Sequence, residues 1–118
     1  MRIINLTQHS STPEQGVIDL LDEEKSYLVK LLTFTSIPTS EDILNRAIAL
    51  ADMAHFNGAT HAMVGGAPYL MSTLEKVLKE MGIIPLYAFS ERVSEEVTNP
   101  DGSVTKVNVF KHMGFVKA

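Results

Sequence analysis

The chain contains no cysteine. Disulfides, thiol catalysis and zinc sites built on thiolates are therefore excluded. That absence suits a cytoplasmic protein, which is the expected location. No apolar run is long enough to cross a bilayer, so no membrane partner is expected. The opening MRIINLTQHS lacks the apolar core and small-residue cleavage site of a signal peptide, and no leader is expected there. There is no basic excess either: ten Lys and Arg stand against 14 Asp and Glu, a net charge of −4. Binding to long nucleic acid needs a basic field and is not expected. Walker and G-x-S-x-G motifs are missing. No two histidines stand four apart on a helix, and no carboxylate joins a histidine pair. No metal site and no cofactor are expected.

What is there fits an ordinary globular protein. The 118 residues are 45% hydrophobic and 20% charged, enough for one domain, 1–118, and too few for two. The charge is uneven. Residues 1–90 carry ten acids and six bases, and residues 91–118 carry four of each.

The chain is organised around Thr60 to Gly82, THAMVGGAPYLMSTLEKVLKEMG. Thr60 to Val64 is too short for a helix and reads as a buried strand, stopped by Gly65-Gly66. Pro68 suits a first helical turn, where its missing N–H costs nothing. Leu70, Leu74, Val77, Leu78 and Met81 follow at helical spacing, and Gly82 ends the helix. A strand, a glycine turn and a helix N-terminus can form an anion site. The same pattern also serves as a simple tight turn. As the floor of a cleft, it predicts that Gly66→Val weakens binding more than folding.

Earlier in the chain, Arg2 to Leu6 reads as a strand leading into Thr7-Gln8-His9-Ser10-Ser11-Thr12-Pro13-Glu14-Gln15, dense in hydrogen-bonding side chains. Gly16 to Leu20 is a second short strand. Asp22-Glu23-Glu24 opens a helix with Tyr27, Leu28, Leu31 and Leu32 on its apolar face. Thr39 or Ser40 caps the next helix, whose stripe is Ile43, Leu44, Ala47, Ile48, Ala51 and Ala54. Asn57-Gly58 ends it.

After Gly82, Ile83 to Phe89 is a strand, with Pro85 expected near its start or on a free edge. Helix, strand, helix, strand implies parallel neighbours. Arg92 to Thr98 and Ser103 to Phe110 alternate around Asn99-Pro100-Asp101-Gly102, a strong turn signal. They read as a β-hairpin appended to an α/β core, with Glu95 opposite Lys106 as a cross-strand ion pair.

Several side chains are candidates for chemistry. His9 lies just beyond the first strand among Thr7, Gln8 and Ser10, where ligands of open α/β sheets bind. Histidine is the side chain type whose charge changes around neutral pH, which makes it a common acid or base, and His9 could equally hydrogen-bond only its own loop. His112 and Lys111 are read as following the last strand. Arg92 is read as starting the hairpin just after Ser90, and it can hold a phosphate through two N–H groups.

These stations resemble the small CRISPR-associated ring nucleases with a CARF-like, Rossmann-related fold. The resemblance rests on Asn5-Leu6-Thr7-Gln8-His9 with Thr12 and Gln15, on Gly65-Gly66, and on Ser90-Glu91-Arg92 with Glu95. Asp101-Gly102 and Phe110-Lys111-His112-Met113-Gly114-Phe115 complete it. Gly114-Phe115-Val116 lacks an arginine found there in such proteins, and no acid follows Gly65-Gly66. The resemblance implies a small, mostly parallel sheet flanked by helices, with a C-terminal hairpin. It implies a homodimer that binds a cyclic oligoadenylate and opens its ring by 2′-hydroxyl attack, without metal. His9 or His112 would be acid or base, with Arg92 and Lys111 on phosphate charge. Thr7, Gln8, Ser10, Gly65, Gly66, Ala67 and Ser90 would position the ligand. A binder that only sequesters a cyclic nucleotide needs the same pocket. An unrelated α/β domain binding a nucleotide or a protein is the third reading.

Overall fold

The short apolar runs become strands because each is bounded by turn residues and is too short for a helix. In the computed structural model, which describes residues 1–118, they are β1 (Ile3–Asn5), β2 (Ile18–Asp19) and β3 (His61–Met63). The three helices are α1 (Asp22–Leu32), α2 (Ser40–Phe56) and α3 (Pro68–Glu80). Two long strands, β4 (Ile84–Thr98) and β5 (Val104–Lys117), complete the chain. A single 3-10 turn, Pro13–Gln15, lies between β1 and β2.

The five strands form one sheet in the order β2-β1-β3-β4-β5. The first four are mutually parallel, and β5 runs antiparallel to β4. Connections from β1 to β2 and from β3 to β4 travel in opposite directions. Right-handed crossovers therefore place them on opposite faces. Ile4, Ala62 and Val64 join a buried cluster with Leu28, Leu50, Leu70, Leu74 and Leu78 from all three helices. The other face carries Ile3, Met63 and Leu86 with Val17 and Phe115. It is the face crossed by the segment from Leu6 to Val17. This α/β, Rossmann-like arrangement agrees with the expected sheet, helices and C-terminal hairpin.

Local signals explain the helix ends. Asp42 N–H donates to Thr39 Oγ1 at 3.1 Å, the expected N-cap of α2. Pro68 opens α3, and Gly82 beyond its end has φ +76°. Arg46 donates to the carbonyls of Lys30, Leu31 and Thr33 and so closes the end of α1. The alanines of α2 pack as expected, since Ala47, Ala51 and Ala54 are fully buried. Leu44 and Ile48 do not join them and stay exposed, as does Tyr27 of α1. The sheet is narrow, so it covers only part of each wide stripe.

The hairpin departs from expectation in three ways. β4 runs unbroken from the core into the hairpin, so Arg92 lies inside a strand and does not start one. Lys111 and His112 are likewise inside β5 and do not follow it. Glu96, not Glu95, faces Lys106, and Glu95 faces Val107. The turn closes one residue tighter than counting from Thr98 and Ser103 assumed: Asn99 N–H donates to Ser103 O at 2.7 Å, and Thr98 faces Val104. A one-residue slip moves every side chain to the other face. Pro85 is the second residue of an interior strand, as the strand-start alternative required.

Candidate functional site

A polar residue at the end of an apolar strand shapes the first wall of the site. Asn5 is fully buried. Its Nδ2 donates to His9 O and to Asp19 Oδ1, each at 2.8 Å. Its Oδ1 accepts from Thr7 N–H at 2.8 Å and from Thr7 Oγ1 at 2.7 Å. A buried amide must find such partners, and here they fold the Thr7–His9 segment back over the strand end. Lys25 Nζ adds a bond to Thr7 O at 3.0 Å. Asp19 also accepts from Ser11 N–H through both oxygens at 3.2 Å. Burial raises the Asp19 pKa, but the hydrogen bonds from Asn5 and Ser11, with Lys25 nearby, outweigh it and hold the carboxyl below its ordinary range.

The second wall is the glycine turn after β3. Between the two walls lies a cleft of about 460 Å³, lined by Thr7, Gln8, His9, Ser10, Gln15, Leu32, Met63, Val64, Gly65, Gly66, Ala67 and Ala88. It sits where the chain leaves β1 toward one edge of the sheet and β3 toward the other, a topological switch point. His9 is the one ionisable side chain among these residues. Its carbonyl is fixed by Asn5, while the residue itself is exposed. Gln15 Oε1 accepts from Thr12 N–H at 3.1 Å, which holds the lower rim. Ala67, the residue before α3, lines the cleft, and no side chain caps the helix there, so the positive end of the macrodipole starts beside it.

The two glycines play different parts. Gly65 has an ordinary backbone, and an added Cβ would meet Thr7 Cγ2 at 3.4 Å, a normal contact. Gly66 has φ +158°, where side chains are strained, and its Cβ would meet Met71 Cε at 3.3 Å and Leu32 Cδ2 at 3.6 Å. The expectation that Gly66→Val weakens binding more than folding is therefore corrected. That change strains the backbone and presses on the core. Gly65 is the position where a methyl group alters the cleft at little cost to the fold.

The hairpin candidates stand further out. Ser90 pairs with His112 on the face that carries Ala88 and Phe115, one same-face step of about 7 Å beyond the cleft. The His112 ring packs edge-on to Phe115 with centroids 4.9 Å apart, and its buried Nδ1 has no hydrogen-bond partner. Glu14 lies near it. The hydrogen bond from Thr12 is the main reason that Glu14's pKa is lowered, and the His112 charge adds to this. Arg92 is one step further along, leaning over the Phe110 ring at 5.8 Å, toward β5 and away from β3. Lys111 pairs with Glu91 and so points to the opposite face from His112. The structure thus gathers Thr7, Gln8, His9, Ser10, Gly65, Gly66 and Ala67 around one cleft. It leaves Ser90, Arg92, Lys111 and His112 outside that lining.

Behind Gly66, Tyr87 donates its hydroxyl to Glu75 Oε2 at 2.7 Å. Burial first, and then the Glu75 carboxylate, push the Tyr87 phenol well above its ordinary range. Sequence reasoning missed this pair, and it missed Asn5 and Asp19 as organisers of the cleft. A polar residue closing the run Ile3-Ile4 was the available signal for Asn5.

The model of the Uncharacterized protein MJ1673 family matches residues 1–116, and the chain belongs to that family. No curated protein and no solved structure matches the chain.

Proposed function

We propose that this member of the MJ1673 family binds a cyclic oligoadenylate at the switch-point cleft and opens its ring, as the small ring nucleases with a CARF-like fold do. The observation that carries the reading is the composition of the cleft. Hydrogen-bonding side chains from Thr7 to Ser10 face a glycine turn and an uncapped helix N-terminus across about 460 Å³. Those are the parts that a ribose and a phosphodiester need. The volume suits a portion of a cyclic oligonucleotide, and a two-fold dimer would supply a second such cleft for the rest of the ring.

In the reaction, a ribose 2′-hydroxyl attacks the adjacent phosphorus and the P–O5′ bond breaks. The ends become a 2′,3′-cyclic phosphate and a 5′-hydroxyl. One group takes the 2′-hydroxyl proton and one gives a proton to the leaving 5′-oxygen. His9 is the ionisable group at the cleft. The macrodipole of α3 and the backbone at Gly65-Gly66 would favour charge on the phosphorane. Incubation with cyclic tetra-adenylate followed by chromatography tests this, and linear product with a cyclic phosphate end is the expected outcome. A location in the cytoplasm accords with such a role.

One observation favours a second reading. A single histidine lines the cleft, and His112 stands beyond it. A protein that only sequesters the ring needs no acid–base pair. Unchanged ring recovered from the protein after incubation would select that reading, and no binding by calorimetry would remove both.

A further inference from the structure

The hairpin is built like an arm. The chain measures 57 × 35 × 27 Å with a radius of gyration of 17.0 Å, against about 13.5 Å for a compact domain of this length. Beyond Ser90 and His112, which still lies by Glu14, β4 and β5 leave the body as a two-stranded ribbon, on the order of 30 Å long with its turn. A ribbon of two strands is marginal in water without a covering layer. Yet Phe110 is 75% exposed and Phe89 57%. Val104, Val97 and Met113 are also exposed. Met113 is the residue left unpaired by the bulge where the ribbon departs.

The ribbon face with Phe110 also carries Arg92 and Lys106 against one acid, Glu96. The body it leaves is acidic, with ten acids and six bases in residues 1–90. The arm as a whole carries as many acids as bases, but this one face, with two cations against one acid, is complementary in charge to a second body of its own kind. Each ribbon face offers roughly 300 Å². Two ribbons on two bodies cover four such surfaces, about 1,200 Å², the lower bound of a stable interface. Arginine stacked on an exposed aromatic is the pair that interfaces favour.

The cleft lacks what the arm carries. No lysine or arginine lines it, and Arg92 sits about 13 Å along the strand from Ala88, its guanidinium turned toward Phe110. We infer that two copies of this chain exchange arms. Each ribbon, through Phe110 and Arg92, docks on the other body and brings Arg92 to the other cleft as its phosphate-binding cation. The phosphate role rests on the ring-opening reading; the exchange of arms does not.

Three measurements on the full chain test this. Sedimentation should give a dimer for the wild type and a monomer for Phe110→Glu, with unchanged circular dichroism because Phe110 is exposed and belongs to neither buried cluster of its own chain. Because the chain has no cysteine, Ser10→Cys and Ser94→Cys variants carrying different tags can be mixed with a short bismaleimide. A covalent pair of unlike chains is expected. A monomeric wild type, or a dimer that forms no unlike pair, overturns the exchange. Arg92→Ala and His9→Ala should each lose at least about tenfold in ring opening. Their equimolar mixture should regain about a quarter of wild-type turnover, because half of randomly paired dimers are mixed and each keeps one intact cleft. Cross-linking without this rescue overturns the role of Arg92 alone. Cross-linking with a wild type that opens no ring leaves the arms standing and removes the reaction.

Discussion

Asn5 and Asp19 lie side by side on neighbouring parallel strands, with Asn5 Nδ2 2.8 Å from Asp19 Oδ1. The contact ties two short strands together at their carboxyl ends. It also fixes the other Nδ2 hydrogen on His9 O, so the first wall of the cleft is shaped from inside the protein.

Asn5→Ala should show this coupling. It removes four hydrogen bonds and leaves buried partners unpaired. A loss of about 1–3 kcal/mol is expected in urea unfolding. Affinity for cyclic tetra-adenylate should fall as well, because the loop from Thr7 to Ser10 loses its pin. Unchanged affinity in a folded variant would separate the loop from the ligand.

Asp19 sets an acid limit on stability. Its pKa is lowered in the folded chain from an ordinary 3.8. The unfolded state then binds more protons as the pH drops toward and below that value. The contribution is present above about pH 4 and is lost as the pH falls through the folded pKa. Urea midpoints of the wild type should decline in that window more steeply than those of Asp19→Asn. Parallel curves would mean that Asp19 does not carry the effect.

The two glycines of the turn should separate folding from binding. Gly66→Val is expected to cost about 1–3 kcal/mol of stability through backbone strain and crowding at Met71 and Leu32. Gly65→Ala should fold normally and weaken ligand affinity, because its methyl group reaches the Thr7 side of the cleft. Thermal melts with calorimetry on both variants give the comparison.

His9→Ala should lower turnover by at least about tenfold, the lower side of general acid–base catalysis. His112→Ala should change the pH profile only if the partner's arm carries His112 into the cleft. Its own ring packs on Phe115 outside the lining. Equal turnover in wild type and His9→Ala would take His9 out of the reaction.

Tyr87 makes an alkaline prediction. Its folded pKa is raised, so the unfolded chain ionises first as the pH climbs past the ordinary value of 10.0. The stabilisation is complete below that pH and is lost above it. At neutral pH, Tyr87→Phe should cost about 0.5–1.5 kcal/mol for the bond to Glu75. The difference in phenolate absorbance between wild type and variant should appear only well above pH 10.0; an earlier rise would mean that the Glu75 pair is open.

Much of the fold was legible because it rests on local rules. Thr39 before Glu41-Asp42, Pro68 after a glycine turn, Gly82 after the last apolar residue and Asn99 to Gly102 each act within a few residues of themselves. The cleft's two walls were legible for the same reason, as polar and glycine stretches just past apolar runs. What failed was reach and register. Arg92 and His112 are grouped with the cleft by the family resemblance and by reading them at strand ends, where ligands of open α/β sheets bind. An unbroken β4 carries Arg92 about 13 Å past Ala88. Glu95 lost Lys106 to Glu96 because one turn bond, Asn99 to Ser103, shifts the whole ladder.

The sequence alone determined the elements: which runs are strands, where helices start and stop, and that no cysteine chemistry is possible. These depend on neighbours a few residues apart, so periodicity and capping suffice. Only the tertiary structure decided that Asn5 would meet Asp19, that His9 would share a cleft with Gly65 and Gly66, and that the hairpin beyond His112 would extend away from the core. Those are distances between residues far apart in the chain. They follow from strand order, crossover direction and register, which no local pattern encodes.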